Sequence, residues 1–70
     1  MGNLTNFRII LEQLNPNYVT YFVLSDTKIY PDSKKMDSEK WWVVSTGKGE
    51  SMTDAVALAE YVLNKVKGEN

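Results

Sequence analysis

Apolar residues open the chain at helical spacing: Leu4, Phe7, Ile10, Leu11 and Leu14 share one face of a helical wheel, and Arg8, Glu12 and Gln13 lie elsewhere on it. The pattern predicts an amphipathic helix over 4–14, from which Ile9 projects as a single exposed apolar side chain. Pro16 ends it, because the ring disfavours helical geometry at Asn15 and removes an amide donor. From Tyr18 to Ser25 the residues turn β-branched and aromatic and stop at Asp26-Thr27, which predicts a strand. Its alternation sets Tyr18, Thr20, Phe22 and Leu24 on one side and Val19, Tyr21 and Val23 on the other, so both faces are largely apolar. Lys28-Ile29-Tyr30 is a candidate short strand ended by the turn signal Pro31-Asp32. The polar stretch Pro31 to Lys40 reads as a solvated connection between strands. Trp41 to Thr46 alternates again and sends one tryptophan to each side of a sheet.

The turn Gly47-Lys48-Gly49-Glu50-Ser51 leads from that strand into a second helix. Two glycines two apart permit backbone angles closed to other residues, and Ser51 with Asp54 has the spacing of a capping box. Beyond it Ala55, Ala59, Val62 and Val66 centre an apolar arc flanked by Met52, Val56, Leu58 and Leu63, with Glu60, Asn64, Lys65 and Lys67 opposite. The alanines allow the helix axis to approach a sheet closely, and Gly68 is a candidate C-cap. The expected fold is a single α+β domain over 1–70: a small antiparallel sheet of two to three strands, with N- and C-terminal helices packed on one face.

Composition narrows the function. A chain of 70 residues with two Trp, four Tyr and two Phe is too short to bury them all, so a homodimer or a protein partner is expected. Eight basic and nine acidic side chains leave the net charge close to zero, which gives no general attraction to nucleic acid or anionic membrane. There is no cysteine and no histidine, so disulfides, thiol catalysis, a Ser-His-Asp triad and most zinc sites are excluded. Asp37 and Glu39 sit in a polar stretch with nothing to desolvate them and read as surface charge rather than an acid/base pair. No enzyme activity, cofactor or metal is expected. No signal-like segment or membrane-length apolar run is present, and a cytoplasmic location is expected.

Pro16-x-Tyr18 before the first strand, and Gly47-x-Gly49-x-Ser51 with Ala55 and Ala59 in the closing strand-turn-helix, resemble the double-stranded RNA-binding domain. The resemblance implies an α-β-β-β-α order with both helices on one sheet face. That family grips phosphates with lysines in the first turn of its closing helix, where this chain has Met52, Thr53, Asp54 and Val56, so the shape is expected without the RNA grip. The expected function is a non-enzymatic binding or inhibitory module of the kind phages encode. Its partner surface would be an aromatic sheet face bearing Tyr21, Val23, Trp41 and Trp42. The alternative is a protein that sequesters a nucleotide or oligonucleotide between a tryptophan and the Gly47–Thr53 turn, with Gly47, Lys48, Gly49, Ser51 and Thr53 as ligand donors.

Overall fold

A computed structural model describes residues 5–36 and 40–69. Strands β1 (Phe7–Asn15), β2 (Tyr18–Ser25) and β3 (Trp42–Gly49) form an antiparallel sheet in chain order, and helix α1 (Met52–Glu69) follows. The α+β class, the antiparallel sheet and the C-terminal helix match the expectation. The N-terminal helix does not: residues 7–15 form β1 instead.

The helical stripe of β1 is also compatible with a period of two, because Phe7, Ile9 and Leu11 line one face of a strand. Tertiary pairing decides between them. As a strand, β1 pairs with β2 from Phe7↔Ser25 to Glu12↔Thr20, which sets Ile9 opposite Val23 and packs Ile9 and Leu11 against the core. A helix would leave Ile9 in water and one edge of β2 without a partner. Leu14, counted in the helical stripe, is 85% exposed. Leu4, the first member of that stripe, lies outside the described residues.

Pro16 serves a different purpose from the helix stop expected of it. It occupies a two-residue turn between β1 and β2, where the Asn17 amide donates to Asn15 Oδ1 at 2.8 Å. No described non-glycine residue has positive φ, so this is not a primed hairpin turn, whose twist matches that of its strands. The register shifts between Glu12 and Asn15, which puts an extra residue in β1 and turns Leu14 outwards.

From Ser25 the chain leaves the sheet. Ser25 is buried and its hydroxyl donates to the Thr27 carbonyl. No strand forms at Lys28–Tyr30; the Ser33 amide closes a turn on the Tyr30 carbonyl at 3.1 Å, with Pro31 in second position. The chain then returns beside β3. Val43 donates to Lys34 O at 2.7 Å and Met36 to Trp41 O at 3.0 Å, and Lys35 bridges Trp42.

The core lies between the sheet and α1. Val19, Tyr21 and Val23 of β2 meet Ala55 and Ala59, with Ile9, Leu11, Val44, Val62 and Leu63 around them. Val44 reaches this layer through a bulge opposite Val23–Leu24. The Ser51 half of the capping box forms, with the Asp54 amide donating to Ser51 Oγ at 3.2 Å, and the Ala55 amide makes the first helical bond to Ser51 O at 2.9 Å.

The glycines act otherwise than expected. None of those described has positive φ, and Gly47 and Gly49 belong to β3 rather than to the turn. Their role is space. A Cβ on Gly49 would stand 2.5 Å from Ala55 N and 2.8 Å from Ala55 Cα, so the first turn of α1 rests directly on this residue. A Cβ on Gly47 would meet the Tyr21 ring at 2.6 to 2.8 Å, so that ring lies across the glycine it pairs with. Gly68 lies within α1 and is not a left-handed cap.

Candidate interaction face

The sheet face turned away from α1 is built by alternation from the residues between the core positions. The register arranges it in three rows running from β1 to β3: Arg8, Leu24 and Val43; Ile10, Phe22 and Thr46; Glu12, Thr20 and Lys48. Leu24 is fully buried, Ile10, Phe22 and Val43 are half-buried, and Arg8, Glu12, Thr46 and Lys48 are exposed. The Thr46 hydroxyl donates to the Tyr21 carbonyl at 2.9 Å, which satisfies it beside the apolar middle row.

Each end of the face carries a cation stacked on an aromatic ring. The Arg8 guanidinium stands 5.5 Å from the ring centre of Trp41, and the Lys48 ammonium 4.5 Å from that of Tyr18. These contacts tether the rings beside the apolar row while leaving both half-exposed. The face is thus apolar in the middle and charged at the rim. On the other side Trp42, paired with Ser25, has the ammonium groups of Lys28 and Lys35 at 5.3 and 5.8 Å.

The residues expected on the partner surface divide between the two faces. Tyr21 and Val23 lie under α1, 7% and 0% exposed, and so belong to the core rather than to the open face. Trp41 and Trp42 are both half-buried and lie on opposite sides, as the alternation requires. Phe22, Ile10 and Tyr18 complete the open face and were not among the expected contact residues. A usable signal existed: Gly47 and Gly49 share one face of β3, and a face of glycines is the one that a helix bearing Ala55 and Ala59 can approach closely.

The residues proposed as ligand donors in the glycine turn do not converge. Lys48 points to Tyr18 on the open face, whereas Gly49 is covered by α1 on the opposite one. The Ser51 hydroxyl already accepts the Asp54 amide, and Thr53 is an exposed residue of the first helical turn. Asp37 and Glu39 lie outside the described residues. Among the described residues there is no cluster of three metal-ligating side chains and no helix long and apolar enough to cross a membrane.

The chain matches no family model, no curated protein and no solved structure. Strand β1 stands where the resemblance to double-stranded RNA-binding domains implies a leading helix.

Proposed function

We propose that this protein is a non-enzymatic binding module that takes a partner protein on the open face of its sheet, a small accessory or inhibitory protein of the type phages encode. The observation that carries the reading is the row Ile10, Phe22 and Thr46, flanked by Val43, Tyr18 and Trp41, on a face against which no described helix packs. Half-exposed aromatic and aliphatic groups ringed by Arg8, Glu12 and Lys48 favour a protein surface with an apolar centre over a phosphate backbone. The near-balanced charge of the chain supports the same choice.

The test compares capture of a partner by the wild type, Phe22→Lys, Ile10→Lys and Tyr61→Lys, each first shown to be folded by circular dichroism. Tyr61 is 62% exposed on α1 and serves as the control. A partner held by the wild type and Tyr61→Lys but lost from both sheet variants supports the reading; equal capture by all four refutes it. In parallel, nucleotides and short nucleic acids are titrated while tryptophan fluorescence and the melting temperature are followed. A ligand that raises the melting temperature, and loses that effect in Lys48→Ala, would replace the present reading with the nucleotide-sequestering one.

A further inference from the structure

We propose that the outer edge of β1 pairs antiparallel with β1 of a second copy, about a two-fold axis at Ile10. The backbone supplies the first part of the argument. Hydrogen-bonded and non-hydrogen-bonded pairs alternate along an antiparallel ladder. The Asp26 amide donates to the Asn6 carbonyl at 3.1 Å, in the same register as the ladder from Phe7↔Ser25 to Glu12↔Thr20. Arg8, Ile10 and Glu12 therefore turn their amides and carbonyls towards β2. Phe7, Ile9 and Leu11 turn theirs to the outer edge.

Soluble proteins usually shield such an edge with lysine, proline, a bulge or a covering segment. The opposite edge of this sheet is shielded in these ways: residues 34–36 pair with β3 near Trp42, and the bulge at Val44 and Lys48 follow. On β1 the ladder is regular from Phe7 to Glu12 and contains neither lysine nor proline. Its charges are Arg8 and Glu12, of opposite sign, on one face and equally far from Ile10.

Those charges select the register. Only odd-numbered residues offer outward groups, so a two-fold pairing of this stretch must be centred on a residue; centring on Arg8 or Glu12 sets that charge against itself, which leaves Ile9, Ile10 or Leu11. Centring on Ile9 sets Arg8 against Ile10 of the second copy, and centring on Leu11 sets Glu12 against it. Centring on Ile10 alone brings Arg8 opposite Glu12, twice, with Ile10 against Ile10 and Ile9 against Leu11. The Arg8–Glu12 positions are then non-hydrogen-bonded pairs, where side chains approach most closely. Arg8 can keep its place on Trp41 and its other contact within the chain, because the guanidinium stacks through its plane and carries five N–H donors at its edge. The product is a six-stranded sheet with both helices on one side and the two open faces joined on the other. This inference concerns the edge and stands whatever the open face binds.

Sedimentation equilibrium of the full chain in the micromolar range tests it. Arg8→Glu and Glu12→Arg should each weaken the dimer roughly tenfold or more, since each places like charges opposite one another twice, and the double exchange should restore it. Both residues also border the open face, so a second measurement is needed: amide exchange at Ile9 and Leu11, which should slow as protein concentration rises. A monomer throughout the range, a double exchange no tighter than the singles, or a dimer in which those two amides exchange as they do in dilute protein would overturn the proposal.

Discussion

Gly49→Ala should destabilise this protein even though alanine is the better residue for most backbones. Gly49 lacks positive φ, so the substitution introduces no backbone strain. With free space around it, alanine would stabilise the fold by about 0.4–1 kcal/mol through the entropy of the unfolded chain. The space is absent. The new methyl group would stand 2.5 Å from Ala55 N and 2.9 Å from Asp54 C, and these are backbone atoms that no side-chain rotation can move. Restoring ordinary contact requires the first turn of α1 to retreat by about 1 Å. That turn carries Ala55, which has no exposed surface and packs in the core, so the retreat loosens the closest part of the helix–sheet contact. Overpacking of this kind costs about 1–3 kcal/mol, and a mid-range cost of about 2 kcal/mol leaves a net loss of about 1–1.6 kcal/mol once the entropic gain of about 0.4–1 kcal/mol is subtracted. For a domain of this size the melting temperature should fall by roughly 5–15 °C. Urea denaturation followed by tryptophan fluorescence measures it, with Gly68→Ala as control because a Cβ there has nothing within 4 Å. A Gly49→Ala variant as stable as the wild type would show that α1 does not rest on this residue.

Three further outcomes follow from the same geometry. Ile9→Asp should cost about 1–3 kcal/mol, because it sets a carboxylate in a partly buried position opposite Val23 and against the core, whereas Leu14→Asp at its exposed position should stay within about 0.5 kcal/mol of wild type. A helix over residues 4–14 would reverse that order, so paired denaturation curves check the strand assignment. Ala59→Leu should lower the denaturation midpoint by about 1–3 kcal/mol equivalent and Glu60→Leu hardly at all, since Ala59 is fully buried and Glu60 exposed. Equal midpoints would mean that another helix face meets the sheet. Ser51→Ala should cost about 0.5–2 kcal/mol through the loss of the bond to the Asp54 amide, while Lys48→Ala, which loses a partly exposed contact with Tyr18, should cost under about 1 kcal/mol; thermal melts compare the two.

Local signals in the chain were sufficient for the closing helix and its start. The capping box at Ser51 and Asp54 needs only residues three apart, and the arc of Ala55, Ala59 and Val66 needs only one helix, so both were legible without any partner element. The strand at Tyr18–Ser25 and its alternation were legible for the same reason. Tertiary structure decided the rest. Residues 7–15 carry an apolar pattern that suits a helix as well as a strand, and pairing with β2 settled it by giving Ile9 a place in the core. The two apolar faces of β2 were visible from the alternation, but the helix had to choose between them, and it chose the side where Gly47 and Gly49 leave room for Tyr21 and Ala55. That choice buried Tyr21 and Val23 and left Phe22 in the open row with Ile10. The spacing of Gly47 and Gly49 marks a face that a helix can approach, but a residue's distance to the next element is a property of the packed layers, and only they show that this face is covered.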